Sequence, residues 1–113
     1  MADQIDFDDF LKVDVRVGTV VQAEPYPEAR KPAIKLWIDF GDEIGIKKSS
    51  AQLKANYNVN DLLNKQVAAV VNFPPKQIGT IMSEVLVVGF PDNEGKPILI
   101  TPDYKIKNGG KLF

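Results

Sequence analysis

The chain has 113 residues, a formal net charge of -1, 44% hydrophobic and 26% charged residues, and neither cysteine nor histidine. These proportions are ordinary for a globular domain. The absence of cysteine and histidine excludes disulfides, thiolate catalysis, and the commonest metal ligands and general bases. With a net charge so close to zero, binding to nucleic acid would require a local basic patch.

The length fits a single domain that spans residues 1–113. The acidic opening MADQIDFDDF lacks the apolar stretch of a signal peptide, and no apolar run approaches the ~20 residues of a membrane-spanning helix. We therefore expect a soluble, cytoplasmic protein without membrane insertion. No paired-acid, Ser-x-x-Lys or phosphate-loop spacing is present, which predicts a protein that is not an enzyme and needs no cofactor or metal.

The first elements in chain order are a short helix and a strand. Residues 6–13 predict a helix with Asp6 as its N-cap and an apolar face formed by Phe7, Phe10 and Leu11. The alternation in VDVRVGTVVQAE predicts a strand that turns Val13, Val15 and Val17 to one side. Gly18 interrupts this alternation, which predicts a bulge or a sharp bend at that residue.

A second strand follows a proline-punctuated loop. IKLWIDFG predicts a strand with Ile34, Leu36, Ile38 and Phe40 facing the core and Lys35, Trp37 and Asp39 on the other side. An outward tryptophan indicates either an interaction surface or packing under the N-terminal segment, and both interpretations stay open. IGIKKSSAQL predicts a third strand.

The second half of the chain contains one helix and further strands. NYNVNDLLNKQ predicts a short helix capped by Asn58 or Asn60. QVAAVVNF and SEVLVVGF predict strands that are apolar on both faces and so need cover on both sides. DNEG predicts a turn, KPILIT a strand, and residues 108–110 a turn in the tail. The whole pattern indicates a mainly β protein, a five-stranded Greek-key barrel of the OB type with short helices and terminal extensions.

The stretch VVNFPPKQIG carries an unusual strand end. Asn72 and Phe73 precede Pro74, Pro75 and Lys76, and the strand must stop because proline cannot donate to a sheet ladder. In one interpretation Phe73 belongs to the core and the prolines only end the strand. In the other, the rigid segment shapes a groove for an extended, partly apolar polypeptide. Asn72 and Ser83 would then bond to its backbone, and Lys76 would attract acidic segments.

Basic residues and hydroxyls gather around the third strand. IKKSSAQLK contains Lys47, Lys48, Ser49, Ser50 and Lys54. Lysines and hydroxyls contact phosphates in OB-fold nucleic-acid binders, and the alternative is a solvated strand surface. Arg30, Lys31 and Lys35 could extend the same side, as could Lys76.

The segment DFLKVDVRVGTVVQAEPYPEARK resembles the opening of the tRNA-binding OB-domain family. That family includes C-terminal extensions of some methionyl-tRNA synthetases and free-standing tRNA-binding proteins. PEARKPAIKLWIDFG, KKSSAQL, VVNFPPKQIG, SEVLVVG and the NGG tail are similar, in order, to segments of a branch of small proteins associated with protein export.

The resemblance implies a homodimeric chaperone of protein secretion that binds unfolded or precursor polypeptides and the export ATPase SecA. The alternative is a tRNA-binding module that acts with aminoacyl-tRNA synthetases. Where the wider family has a Ser-x-Gly-Met type sequence, this chain has residues 83–86 as SEVL, and Glu84 places a negative charge near any phosphate path.

Motif positions and local chemistry together give two sets of candidate residues. The set for polypeptide is Trp37, Asn72, Phe73, Pro74, Pro75, Lys76, Ser83 and Glu84. The set for nucleic acid is Arg16, Arg30, Lys31, Lys35, Lys47, Lys48, Ser49, Ser50 and Lys54.

Overall fold

A computed structural model describes residues 1–113 and contains two short helices and nine strands. In chain order they are α1 (Phe7–Leu11), β1 (Val15–Tyr26), β2 (Ala33–Asp39), β3 (Ile46–Ala51), α2 (Val59–Leu62), β4 (Gln66–Val70), β5 (Lys76–Ile78), β6 (Ile81–Ser83), β7 (Leu86–Val87), β8 (Gly89–Pro91) and β9 (Pro97–Leu99). Five strands form one antiparallel sheet in the order β3-β2-β1-β4-β7, and β5–β6 and β8–β9 are two hairpins. The predicted mainly β, OB-type fold is confirmed, with α2 between the third and fourth strands.

The five-stranded sheet curls until its two edges meet. The edge strand β3 contacts residues 83–85, which lead into β7 at the opposite edge. Ser49 Oγ donates to the Val85 carbonyl at 3.1 Å, and the Ser50 N–H donates to Ser83 Oγ at 3.1 Å. The two edges are therefore joined mainly by side-chain hydrogen bonds, with one backbone bond from the Glu84 N–H to the Lys48 carbonyl, in place of a regular strand ladder.

The interior of the curled sheet holds the hydrophobic core. Alternate residues of β2 point inward, and the four predicted to do so are all buried: Ile34, Leu36, Ile38 and Phe40. β1, β4 and α2 add further residues to the same cluster, among them Val20, Val67 and Leu62. Asn58 caps α2 by accepting the Asp61 N–H at 3.0 Å, as one of the two predicted caps.

Gly18 does not form a bulge, which is one of the two predicted alternatives for this residue. It pairs in regular register with Val67, and the register of β1 against β2 shifts between Val20 and Gln22. A Cβ atom at Gly18 would lie 2.6 Å from Ile38 Cγ2. The glycine is thus required by close packing against the β2 side chains. Val13 also departs from expectation, because β1 begins at Val15 and leaves Val13 exposed.

The two strands predicted to be apolar on both faces differ in their burial. β4 is buried on both faces except for a half-exposed Ala68, as predicted. The segment SEVLVVGF is divided among the end of β6, β7 and β8, and both Leu86 and Phe90 are exposed, so the chain by itself does not cover both faces there. Asp6 is the N-cap of α1, but Phe7 and Leu11 on its apolar face are exposed as well.

The C-terminal segment of residues 109–112 lies alongside the first half of β1. The Val17 N–H donates to the Gly110 carbonyl at 3.0 Å, and the Leu112 N–H donates to the Val15 carbonyl at 2.8 Å. The side-chain amide of Gln66 binds both backbone groups of Ile106, with its Nε2 2.7 Å from the carbonyl oxygen and its Oε1 3.0 Å from the nitrogen. The tail is therefore built into the sheet. The chain contains no helix long and apolar enough to cross a membrane.

Candidate ligand-binding groove

An open groove with a volume of about 530 Å³ lies between β3, the β5–β6 hairpin and β7. We call it the apolar groove, and its lining is Ser49, Ser50, Ala51, Gln52, Leu53, Phe73, Pro74, Lys76, Ile78, Ser83, Glu84, Val85, Leu86, Val87 and Pro97. The structure thus brings together five of the eight residues that the sequence suggested for polypeptide: Phe73, Pro74, Lys76, Ser83 and Glu84.

Phe73 belongs to the wall of this groove. β4 ends at Val70, and the chain passes through Phe73 and two prolines before β5 begins at Lys76. The Phe73 side chain is 49% exposed, so the interpretation that places it in the core is wrong. Because each proline has a fixed φ, the segment that carries Phe73 has little conformational freedom to lose when a ligand binds.

Three residues of the polypeptide set lie outside the groove lining. Asn72 Nδ2 donates to the Lys12 carbonyl at 2.7 Å, and its Oδ1 accepts the Asp14 N–H at 2.9 Å. Its amide therefore fixes the link between α1 and β1. Trp37 is half-buried on the outer face of β2, beside its cross-strand partner Lys48, and Pro75 is exposed.

Ser83 and Glu84 are committed to joining the sheet edges. Ser83 Oγ accepts from β3, and Glu84 Oε1 accepts the Lys48 N–H at 2.9 Å. Ser49, from the nucleic-acid set, is 1% exposed and donates to the Val85 carbonyl. It is a core residue and not an accessible phosphate contact, because the alternation of β3 turns it inward.

Arg16 connects distant parts of the chain and lies away from the groove. Its Nε is 2.6 Å from Asp14 Oδ1, its Nη1 donates to the Gly109 carbonyl at 3.0 Å, and Glu43 Oε2 is 3.8 Å away. The hydrogen bond to Asp14 raises the pKa of the guanidinium above its ordinary value, and burial opposes this effect. Arg16 therefore has a structural role, because two acids and a backbone carbonyl already bind its guanidinium.

The other basic candidates divide into two groups. Lys35 Nζ lies 3.9 Å from Glu24 Oε1 and 5.0 Å from the centre of the Tyr26 ring. Lys47 and Lys48 are in the first half of β3 and are not part of the groove lining. The second group, Arg30, Lys31 and Lys54, lines two adjoining cavities. One, of about 480 Å³, is lined by Ala29, Arg30, Lys31, Ala33, Ser50, Gln52 and Ile78. The other, of about 390 Å³, is lined by Lys31, Pro32, Gln52, Lys54, Ala55, Gly95, Lys96 and Pro97.

We call the 390 Å³ cavity the basic cavity because it contains three lysines. Lys31, Lys54 and Lys96 are exposed, and none has a carboxylate oxygen within 4.0 Å. Lys96 was not among the sequence candidates. Lys96 lies in the turn before β9, and nothing in the sequence indicates that this turn lies next to Lys54 in the fold.

The turn that presents Lys96 is held by Asp92. Asn56 Nδ2 donates to Asp92 Oδ2 at 3.0 Å, while Oδ1 accepts the N–H groups of Lys96 at 2.9 Å and Glu94 at 2.8 Å. These hydrogen bonds, with that from Asn56 first, lower the pKa of the Asp92 carboxyl below its ordinary value. Asp92 is thus a fixed acceptor at the edge of the basic cavity.

Gln52 is a second residue that sequence reasoning missed. It lines all three cavities, its side chain is exposed, and its amide makes no hydrogen bond within the chain. Leu86 and Pro97 complete the groove wall and were also not predicted. Gln52 directly follows β3, whose pairing with β2 ends at Ala51, and it lies at the point where the three cavities meet.

The β5–β6 hairpin forms one wall of the groove and is anchored to β1 by Tyr26. The Tyr26 hydroxyl donates to the Ile78 carbonyl at 2.9 Å and accepts the Thr80 N–H at 2.8 Å. Hydrogen bonds from Thr80, its side chain first and then its N–H, lower the pKa of Tyr26. Gly79 has a φ of +60°, and a Cβ there would collide with the same hydroxyl.

Comparison with known proteins places this architecture in a family. A family model for the tRNA-binding domain matches residues 15–111. The methionine–tRNA ligase of Methanocaldococcus jannaschii is 36% identical over 110 residues, which are 97% of this chain but only 16% of the ligase. The chain therefore spans a small part of the curated relatives that it matches.

Two solved structures of chaperone CsaA match nearly end to end. The protein from Bacillus anthracis has a TM-score of 0.92 and 49% identity, covering 98% of this chain and 100% of that one. The protein from Picrophilus torridus has a TM-score of 0.89 and 49% identity, covering 97% and 100%. The chain belongs to the tRNA-binding domain family and is similar over almost its whole length to the CsaA chaperones.

Proposed function

We propose that this protein binds extended, partly apolar segments of unfolded or export-bound polypeptides in the apolar groove, as a CsaA-type chaperone of protein secretion. Binding is reversible and involves no cofactor or covalent chemistry. The observation that carries the proposal is the pair Phe73 and Leu86. Both line the same groove, and their side chains are 49% and 51% exposed. Because each side chain is already about half buried, a ligand that covers the rest gains roughly half of the ~1.5–3 kcal/mol of complete burial.

The groove also offers polar groups for the backbone of a bound chain. Ser50 Oγ and the Gln52 amide line the groove and make no hydrogen bond within the protein. Ser83 and Glu84 are already engaged in joining the sheet edges, and Asn72 in holding the N-terminal segment. We therefore assign backbone recognition to Ser50 and Gln52, which replace the Asn72 and Ser83 of the sequence hypothesis.

The test is binding of a fluorescein-labelled, permanently unfolded polypeptide to the Phe73→Ala variant, followed by anisotropy. We expect affinity to fall about tenfold or more, since a buried aromatic anchor contributes on the order of 2 kcal/mol. Phe90→Ala is the matched control, because Phe90 is exposed but does not line the groove. If Phe73→Ala changes only thermal stability and binds normally, the groove is not the site.

A second candidate function is binding of tRNA. It is favoured by the exposed basic side chains beside the groove, Arg30, Lys31, Lys54 and Lys96, which have no acidic partner within 4.0 Å. Each phosphate contact releases counterions, so tRNA binding would weaken steeply with salt, whereas apolar polypeptide binding would not. Titrating both ligands at several salt concentrations, and then in competition, separates the two functions.

The proposal includes a homodimer that acts in the cytoplasm together with SecA. Apolar side chains that line no groove are exposed near both termini, including Phe7, Leu11 and Leu112, and a twofold partner would cover them. Light scattering at micromolar concentration should give the mass of two chains, and a monomeric mass contradicts this part. The SecA contact follows from the similarity to CsaA, and sedimentation of the two purified proteins together would test it.

A further inference from the structure

The apolar groove and the basic cavity form one continuous depression. Both are lined by Gln52 and by Pro97, which mark the border between them. A chain that lies extended in the groove and continues past Pro97 therefore enters the space between the lysines. Gln52 stands at this junction with a side-chain amide that has no partner within the protein.

The apolar groove and the basic cavity differ sharply in the charge of the residues that line them. The chain as a whole has a formal net charge of -1, yet the basic cavity is lined by Lys31, Lys54 and Lys96 and by no acidic residue. The nearby Asp92 carboxylate does not line the cavity; it accepts hydrogen bonds from Asn56 and from the N–H groups of its own turn, and it also attracts the Lys96 ammonium. Glu94 lies in that turn without lining the cavity. Three ammonium groups around one cavity repel one another, so a ligand with negative charge relieves that repulsion.

We infer that the bound segment consists of an apolar stretch with acidic residues on one flank, the stretch lying in the apolar groove and the carboxylates among the three lysines. This inference rests on the proposed polypeptide binding and specifies the chemistry of the segment. A neutral flank leaves the repulsion among the three lysines in place, and a basic flank adds to it. Charge complementarity of this kind contributes more to selection among ligands than to raw affinity.

The experiment compares labelled peptides that share one apolar stretch and differ only in the flank, which is acidic, neutral or basic. The acidic flank is placed before the stretch in one peptide and after it in another. We expect one of the acidic peptides to bind about tenfold more tightly than the neutral one at low salt, since the individually small contributions of several exposed ion pairs add together. The advantage should shrink as salt is added.

Lysine variants test whether the preference for an acidic flank arises in the basic cavity. Replacing Lys31, Lys54 and Lys96 by glutamine should abolish the preference while the neutral peptide binds as before. The matched control replaces Lys105, Lys107 and Lys111 by glutamine, which changes the net charge equally at exposed tail positions. This control should keep the preference. Thermal unfolding of both variants shows whether either change disturbs the fold.

The outcomes separate the inference from the function on which it rests. Equal binding of acidic, neutral and basic peptides to the unaltered protein overturns the inference and leaves polypeptide binding intact. Failure of every peptide to bind overturns the proposed function as well. If a short oligonucleotide binds through the three lysines and acidic peptides gain no affinity, the basic cavity serves phosphates and the inference is wrong.

Discussion

The Lys48 N–H donates to the Glu84 carboxylate at 2.9 Å, and the Glu84 N–H donates to the Lys48 carbonyl at 2.8 Å. The two residues are 36 positions apart and meet where β3 approaches the segment that leads into β7. A carboxylate here replaces the backbone carbonyl that a neighbouring strand would supply. Glu84 therefore supplies a hydrogen-bond acceptor for the backbone of the edge strand β3. As a consequence, its negative charge lies in the groove wall.

Glu84→Ala should destabilise the fold by ~1–3 kcal/mol, because it leaves the Lys48 N–H of a half-buried strand without its acceptor. Glu84→Gln keeps a carbonyl oxygen at the same position and should cost clearly less. Urea unfolding of both variants measures the difference. Equal stability of the alanine variant and the unaltered protein would mean that water replaces the carboxylate at no cost.

Gly18→Ala should also lower stability, by about 1–3 kcal/mol, because overpacking a dense core forces side chains out of place. Its new methyl group would lie 2.6 Å from Ile38 Cγ2 and 2.8 Å from Phe40 Cδ1. Gly110→Ala is the control, since the nearest atom to its Cβ would be Val17 Cγ1 at 3.4 Å. Chemical unfolding should rank the two variants in that order, and a reversed order would contradict the packing described for β1.

Gln66→Leu should release the C-terminal tail from the sheet. The substitution keeps most of the side-chain volume but removes both hydrogen bonds to Ile106. We expect faster hydrogen exchange at the Leu112 and Val17 amides, which the tail pairing otherwise protects. Gln77→Leu, at an exposed position of the β5–β6 hairpin, is the control and should leave these amides protected.

Asp92 should make the turn beside the basic cavity sensitive to acid. Its pKa is lowered in the folded chain from an ordinary value of 3.8, so the folded state binds fewer protons than the unfolded state near that pH. The stabilisation is complete above pH 3.8 and is lost as the pH falls through the folded pKa. NMR titration should give a midpoint below 3.8 for this carboxyl, and Asn56→Ala should move the midpoint upward. An unshifted midpoint would contradict the hydrogen bonds of the turn.

Features set by neighbouring residues could be predicted from the sequence. The alternation in β2 correctly gave its inward face, and Asn58 was one of two predicted caps for α2. The strand predicted to run up to the proline pair does form, although β4 already ends at Val70, before Phe73 and the prolines. Each of these depends on residues within one turn or one strand, where side-chain period and backbone restrictions decide the outcome.

Features that depend on distant partners could not be predicted. Gly18 interrupts a strand pattern in the way that a bulge does, and only the position of Ile38 reveals that it is a packing glycine. Ser49 belongs to a polar stretch, but the pairing of β3 turns it into the core. Gln52 and Lys96 join the site through the meeting of β3 with the turn before β9, two segments with no sequence relationship.

The pairing of the tail with β1 has a consequence for how the protein is made. Arg16 and Gly109, joined by a hydrogen bond, are 93 positions apart, so β1 leaves the ribosome long before its last neighbour has been synthesised. Contacts between such distant positions slow folding, and an unpaired strand edge is prone to pairing with other chains in the meantime. A nascent chain of this protein thus presents an open β1 edge until residues 109–112 emerge, and a protein with the proposed chaperone function would itself pass through a stage that needs protection.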